Sequence, residues 1–244
     1  ISGWLSAQGE ADGHPRYLTV ALEKSYGLRY GENPHQSGAF YRERAALPGS
    51  LALAESLGTG AKELSFNNLV DVDGALEAVR EYEGPAAVVV KHASPCGIAT
   101  AETLSAAYKA ARDADATSAF GGIVALNRTV DRATAELIAE TFIECVVAPG
   151  YEEDALTRLR EKKALRLLAT GQWLGKAHAA RMFKRVGGGF VIQSRDVTSP
   201  TEVTGARVVT RRAPTQEELR AMDFAWSACK HVKSNAILLA RVEA

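Results

Sequence analysis

The sequence is poor in cysteine. Its three cysteines, Cys96, Cys145 and Cys229, lie far apart, and no C-x-x-C pair occurs among the 244 residues. A disulfide framework or a zinc ribbon needs more cysteines at closer spacing. We therefore exclude both, and we expect a reducing compartment and hence a cytoplasmic protein.

The sequence also lacks an excess of either charge, since 29 Lys and Arg residues balance 29 Asp and Glu residues. Nothing in this balance indicates a nucleic-acid partner or a membrane surface. No apolar run approaches the roughly 20 residues that span a bilayer. Residues 1–16 carry neither the basic nor the apolar segment of a signal peptide. The first residue is Ile rather than Met, so we expect a piece of a longer protein.

The most informative stretch is AAVVVKHASPCG, residues 86–97. Residues 86–90 form an unbroken apolar run, which predicts a strand buried on both faces in a parallel sheet. We expect a turn at 94–97. Lys91 and His92 follow the strand, and in open α/β sheets ligands bind beyond the carboxyl ends of strands. A solvated lysine with a structural histidine is the alternative that position alone leaves open.

Strands and helices alternate after this run. Apolar runs predict strands at 123–126, 145–148 and 164–168, and apolar faces at helical spacing predict helices at 103–114, 132–142 and 152–162. A further helix before residue 80 would be capped by Asn67 or Asn68. This order favours a mainly parallel sheet with helices on both faces.

The regularity weakens at 171–181, which suggests a subdomain boundary there. We therefore divide the chain into a linker at 1–16, a first α/β subdomain at 17–175 and the beginning of a second at 176–244. In the second part, the capping box Thr215 to Glu218 predicts a helix, and an apolar run predicts a strand at 236–240.

The sequence does not match the zinc site of the nucleoside deaminases. That site needs His-x-Glu and then Pro-Cys-x-x-Cys, but Ser94 replaces the glutamate and Ala99 the second cysteine. Gly121-Gly122 belongs to no Walker or G-x-G-x-x-G pattern, and before a strand these glycines could let the backbone approach a ligand closely. We therefore predict no catalytic metal and no classical nucleotide loop.

Two charged residues occupy positions that suggest a contact with a ligand. Glu144 lies inside an apolar run, where a carboxylate is costly unless it is paired, so either the strand is exposed there or Glu144 meets the donors of a ligand. Arg29 precedes a Gly/Asn-Pro turn, and its planar guanidinium suits a phosphate or carboxylate. A plain surface charge is the alternative for Arg29.

Six motifs, taken in their order along the chain, resemble those of one enzyme family of purine biosynthesis. It is the bifunctional 5-aminoimidazole-4-carboxamide ribonucleotide (AICAR) formyltransferase/IMP cyclohydrolase family, and the resemblance is to its formyltransferase domain. The resemblance covers residues 17 to 240 and implies two cytidine-deaminase-like α/β/α subdomains, of which the second is incomplete here. The motifs are RYGENPHQ at 29–36, SFNNLVD at 65–71, KHASPCG at 91–97, SAFGG at 118–122, ECVVAPGY at 144–151 and KHVKSN at 230–235.

The resemblance implies formyl transfer from 10-formyltetrahydrofolate, a cosubstrate, to the 5-amino group of AICAR, which yields FAICAR. His92 would be the proton acceptor and Lys91 the stabiliser of the transition state, with Asn235 holding the reacting amine. The same resemblance implies a homodimer with sites at the subunit interface and allows a structural potassium ion. The residues that would bind AICAR are Arg29, Tyr30, Asn68, Gly121 and Glu144.

The family carries a cyclohydrolase domain before this region and folate-binding segments after it. We therefore expect the 244-residue chain to carry the AICAR side of the site and to be inactive alone. The alternative is a non-catalytic fragment that binds a nucleotide or supports dimerisation.

Overall fold

The computed structural model describes residues 14–175, 181–197, 199 and 201–242. In chain order the strands are β1 Leu22–Leu28, β2 Gly38–Glu43, β3 Glu55–Ser56, β4 Ala86–Lys91, β5 Ser94–Thr100, β6 Ile123–Leu126, β7 Cys145–Ala148, β8 Arg166–Ala169, β9 Arg181–Val186 and β10 Gly189–Ser194. The α-helices are α1 Phe66–Val79, α2 Leu104–Ala114, α3 Ala116–Ala119, α4 Arg132–Glu140, α5 Glu153–Arg160 and α6 Gln216–Cys229.

The central sheet has six strands in the order β3-β8-β7-β6-β4-β5. The pairs β6–β7 and β7–β8 are parallel, whereas β4 is antiparallel to both β5 and β6, and β3 is antiparallel to β8. Four strands, β5 to β8, therefore point the same way, which confirms a mainly parallel arrangement. The prediction of parallel neighbours for residues 86–90 is wrong, because a two-residue turn joins β4 to β5 and such a turn connects only antiparallel strands.

Helices cover both faces of the sheet, and the predicted three-layer α/β/α class is confirmed. Every residue of 86–90 is fully buried. Ala87 and Val89 pack with buried residues of α2, α4 and α5, while Val88 and Val90 pack with buried residues of α1. The two faces of β4 thus belong to two separate hydrophobic clusters, as the period-2 alternation of a strand requires.

Helix α2 packs against β5 at unusually short range. Its buried residues are Leu104, Ala107, Tyr108 and Ala111, the predicted apolar face. A Cβ added to Gly97 of β5 would overlap the carbonyl oxygen of Ala111 and lie 2.8 Å from its carbonyl carbon. A glycine is therefore required at position 97 by the close approach of the helix backbone.

The segment after residue 180 contains the β9–β10 hairpin and α6. The capping box of Thr215 and Glu218 opens α6 as predicted. The predicted strand at 236–240 is wrong: these residues form neither helix nor strand, and Ile237 and Leu239 are 89% and 97% exposed. Without a neighbouring strand to pair with, an apolar run of five residues has no ladder to join.

The division into a linker and two subdomains remains a prediction. Residues 1–13 of the predicted linker and residues 176–180 of the predicted boundary lie outside the described residues. Within the part that the structure describes, no helix is both long and apolar enough to cross a membrane.

Candidate functional site

The candidate site lies along one edge of the central sheet. Because β4 runs antiparallel to β6, the carboxyl end of β4 meets the amino ends of β6, β7 and β8. The register places Val90 beside Ile123, Ile123 beside Cys145, and Cys145 beside Arg166. Lys91, His92 and the residues just before β6 and β7 therefore share this edge.

His92 lies on the two-residue turn between β4 and β5, and its side chain is exposed. His92 and Ala93 have φ angles of 55° and 57°, the positive values of a type I′ hairpin turn. They are the non-glycine residues with positive φ in the described ranges, and such a backbone costs about 1–2 kcal/mol per residue. The prediction of a turn at 94–97 is wrong, since Ser94 already begins β5.

Lys91 is the last residue of β4. Its ammonium Nζ donates a hydrogen bond to the carbonyl oxygen of Phe120, at 2.8 Å, in the loop before β6. An ammonium has three N–H donors, and Lys91 uses one of them within the described ranges, which leaves two for a ligand. Because β4 ends at Lys91 and the turn follows at once, Lys91 and His92 can both face the space beyond the same edge.

Gly121 and Gly122 connect the loops before β6 and β7. Gly121 has a φ of 73°, which glycine adopts without strain, and its N–H donates to the carbonyl of Phe142 at 2.8 Å. The N–H of Glu144 donates to the carbonyl of Gly122 at 3.0 Å. These bonds fix Glu144 beside Gly121 and beside the loop that Lys91 contacts.

Glu144 lies one residue before β7 and is the acceptor of a small polar network. Its Oε2 accepts from Asn68 Nδ2 at 3.1 Å and lies 3.4 Å from Nη1 of Arg166. The Arg166 side chain is 8% exposed and that of Glu144 39%, so the carboxylate is partnered on one side and open on the other. Of the two alternatives drawn from the sequence, exposure applies in part, since the Glu144 side chain is 39% exposed, and its donors here are Asn68 and Arg166 of the chain itself. Contact of Glu144 with the donors of a ligand stays a prediction.

Arg166, which the sequence motifs did not indicate, joins the candidate site through Glu144. It is the first residue of β8, and its Nε donates to the carbonyl of Glu63 at 3.0 Å. The available signal was a cation at the start of the apolar run RLLA, which mirrors the carboxylate before the apolar run of β7.

Asn68 takes part in the capping of α1 and also holds Glu144. The cap of α1 is Ser65 rather than Asn67 or Asn68: the N–H of Asn68 donates to Ser65 Oγ, and the N–H of Ser65 donates to Asn68 Oδ1. This reciprocal capping box uses the amide oxygen of Asn68. Its amide nitrogen is left to hold Glu144.

Arg29 and Tyr30 flank the start of α1. The N–H of Arg29 donates to the carbonyl of Leu64, and the carbonyl of Tyr30 accepts from the N–H of Phe66, both at 3.2 Å. The Arg29 guanidinium lies 5.5 Å from the centre of the Tyr30 ring, within cation–π range, and its side chain is exposed. Both residues are thus placed next to the helix end that carries Asn68.

Within the described residues, no hydrogen bond or ion pair connects Asn235 to this edge, and its neighbours Lys230 and His231 are held elsewhere. Lys230 Nζ lies 2.6 Å from Oε1 of Glu81, and His231 Nε2 lies 3.3 Å from the same oxygen. Glu81 follows the carboxyl end of α1, whereas Asn68 lies in its first turn, about 20 Å away along the helix. The segment that carries Asn235 is therefore anchored at the opposite end of α1.

Asp71 ends the SFNNLVD motif, and no pattern in the sequence gives it a role of its own. It follows Asn68 by three residues on the same side of α1, and its Oδ1 accepts the N–H of Ala93 at 2.7 Å. Burial raises the pKa of the Asp71 carboxyl, and the hydrogen bond from Ala93 and the nearby His92 oppose that rise.

In the described ranges, no group of three or more His, Cys, Asp or Glu side chains is arranged to hold a metal ion. The structural potassium ion implied by the resemblance stays a prediction.

Comparison with known proteins identifies the family. A family model described as AICARFT/IMPCHase bienzyme matches residues 1–244. The chain is 66% identical to the bifunctional purine biosynthesis protein PurH of Sorangium cellulosum and 52% identical to that of Myxococcus xanthus; each match covers 98% of the chain but only 48% and 47% of the relative. The chain thus spans about half the length of these curated relatives. It belongs to the AICARFT/IMPCHase bienzyme family.

Proposed function

We propose that this sheet edge is the AICAR side of a formyltransferase site in purine biosynthesis. The observation that carries the proposal is the convergence of Lys91, His92, Gly121 and the pair Asn68–Glu144 on one edge. The relatives are bifunctional purine biosynthesis proteins. The reaction would transfer the formyl group of 10-formyltetrahydrofolate to the 5-amino group of AICAR.

His92 is the general base of the proposed reaction. The amine nitrogen attacks the formyl carbon, the bond from that carbon to N10 of the folate breaks, and the amine proton moves to the imidazole. The proton then passes to N10 of the leaving tetrahydrofolate, which balances the step. No side chain in the described part of the chain hydrogen-bonds to the His92 ring, so a ring nitrogen is available.

Lys91 supplies positive charge where negative charge develops. Attack on the formyl group places charge on the formyl oxygen, and a fixed cation or donor there lowers the barrier. The bond from Nζ to the Phe120 carbonyl fixes the ammonium at the edge, and the ammonium carries two further N–H donors.

The remaining residues hold AICAR. Glu144 offers its open carboxylate oxygen to an N–H or O–H of the ligand, and Arg29 offers its guanidinium to the phosphate. Asn235 would come from a second copy of the chain, because within one chain its segment is anchored at the far end of α1. The proposed active form is accordingly a homodimer in the cytoplasm, with 10-formyltetrahydrofolate as cosubstrate.

Replacing Arg29 with alanine should weaken AICAR binding about 10- to 150-fold, since a hydrogen bond to a charged group contributes about 1.5–3 kcal/mol. Isothermal titration calorimetry with AICAR measures the effect. Arg42→Ala, which removes a partly exposed arginine of β2 that pairs with Glu23, is the matched control and should bind normally. An unchanged dissociation constant for Arg29→Ala would make Arg29 a surface charge.

The 244-residue chain alone should bind AICAR but show no formyl transfer. Positioning both reactants contributes about 7–11 kcal/mol to catalysis, and a site that holds only the acceptor loses this contribution. The test is calorimetric titration of AICAR into the chain, followed by a turnover assay with 10-formyltetrahydrofolate. No saturable AICAR binding would contradict the proposed function. Binding without turnover in the complete natural protein would instead favour the non-catalytic nucleotide-binding alternative.

A further inference from the structure

The turn that carries His92 is held by a carboxylate from another element. Asp71 of α1 accepts the N–H of Ala93 at 2.7 Å, and the two residues are 22 positions apart in sequence. The bond therefore connects helix and hairpin rather than stabilising a local loop. A hydrogen bond to an ionised carboxylate is shorter and stronger than one between neutral groups.

The turn needs such support because neither of its two central residues is a glycine or an asparagine. Type I′ turns favour Asn-Gly, Asp-Gly or Gly-Gly, since both central residues have positive φ. Here the central residues are His92 and Ala93, which pay the steric cost that glycine avoids. Backbone strain of this kind persists only where the surrounding structure determines the conformation.

Helix α1 is a rigid support for this purpose. Val72, Leu76 and Val79 of α1 are fully or almost fully buried in the cluster that includes Val88 and Val90 of β4. One helical turn before Asp71, Asn68 holds Glu144. The same face of α1 is therefore connected both to the turn of the base and to the carboxylate proposed to bind substrate.

We propose that Asp71 is a positioning residue for His92. Its carboxylate fixes the backbone of the turn, so that the imidazole stands at a set distance from the amine held at the Glu144 side. This inference rests on the proposed function of His92 as the general base. It adds to that function the element that aligns the base with the substrate.

Asp71→Ala in the complete natural protein should lower kcat by about 10- to 100-fold, because a displacement of about 1 Å can cost a factor of that size. The KM for AICAR should stay within about threefold, since no direct contact with substrate is removed. Asp71→Asn should retain most of the activity, because its amide oxygen can accept the same N–H. Asp113→Ala, an exposed carboxylate of α2 paired with Lys109, is the control and should behave like the wild type.

A second measurement does not depend on turnover. In the isotope-labelled 244-residue chain, Asp71→Ala should shift the amide resonances of His92 and Ala93 and the imidazole resonances of His92, whereas Asp71→Asn and Asp113→Ala should shift them little. If Asp71→Ala does not fold, Asp71→Glu replaces it, because one added methylene displaces the carboxylate and should still lower kcat.

The inference is overturned if Asp71→Ala, or Asp71→Glu in its place, keeps wild-type kcat and His92 resonances. It is also overturned if Asp71→Asn is as impaired as Asp71→Ala, since the charge rather than the hydrogen bond would then matter. Failure of the proposed function looks different: the wild-type complete protein would itself lack formyl transfer, and the resonance shifts would still test Asp71.

Discussion

Replacing His92 with alanine should abolish formyl transfer. We expect kcat in the complete natural protein to fall about 10²- to 10⁴-fold, the usual contribution of a general base. The dissociation constant for AICAR should stay within about tenfold, because Arg29, Gly121 and Glu144 remain in place. Stopped assays of FAICAR formation and calorimetry with AICAR measure the two effects separately. Near-normal turnover would remove His92 from the mechanism.

Mixing two inactive variants tests where Asn235 acts. If each site combines His92 of one copy with Asn235 of another, a mixed dimer of His92→Ala and Asn235→Ala proteins contains one site with both residues. The mixture should therefore regain activity that neither variant shows alone. No recovery, with subunit exchange demonstrated, would place both residues in one chain or remove Asn235 from the site.

Replacing Gly97 with alanine should destabilise the fold by at least about 3 kcal/mol, because the new Cβ overlaps backbone atoms of α2 that no rotamer change can move. Helix α2 would have to shift away from β5. Since β4 and β5 form the hairpin that ends in His92, the same shift should disturb the candidate site. Urea unfolding followed by circular dichroism measures the loss.

The matched control is Gly74→Ala in the interior of α1. A Cβ added to Gly74 meets no atom within 4 Å, and alanine is a better helix residue than glycine by about 1 kcal/mol. Gly74→Ala should therefore leave stability unchanged or raise it. A wild-type unfolding midpoint for Gly97→Ala would show that α2 does not approach β5 as closely as the structure indicates.

Most elements of the hydrophobic core could be predicted from the sequence. Strands β6 and β7 and helix α2 were predicted almost to the residue, because an unbroken apolar run and a regular 3.6-residue spacing each correspond to one kind of element. Burial on both faces of residues 86–90 was predicted for the same reason. The type of an element and the faces that it buries follow from the pattern of neighbouring residues, so a short stretch of sequence is enough to predict them.

The direction of β4 was not predictable in this way. A strand covered by helices on both faces is apolar whether its neighbours run parallel or antiparallel, and the deciding feature is the turn at His92 and Ala93. That turn lacks the glycine or asparagine that marks type I′ hairpins, so residues 94–97, which contain proline and glycine, appeared to be the better turn. The hydrogen bond from the Ala93 N–H to the Asp71 carboxylate explains why His92 and Ala93 form the turn although their sequence is less typical of one.

The composition of the site stays a prediction, and the structure shows only where its residues lie. The resemblance placed Lys91, His92, Gly121, Asn68 and Glu144 in one site, and the structure brings them to one edge. Arg166 and Asp71 escaped notice because their roles depend on partners 22 residues away in sequence. The place of Asn235 at the same site stays a prediction. Lys230 and His231 of its segment contact Glu81, a long-range contact that no local pattern indicates.

The most direct test of the account is to locate AICAR on the isotope-labelled chain by amide chemical shifts. We expect the largest changes at one edge of the sheet, at Lys91, His92, Gly121 and Glu144. Residues at the opposite edge, such as Glu81 and Thr100, should not respond. Changes centred on that opposite edge, or none at saturating AICAR, would contradict the assignment of this edge as the substrate site.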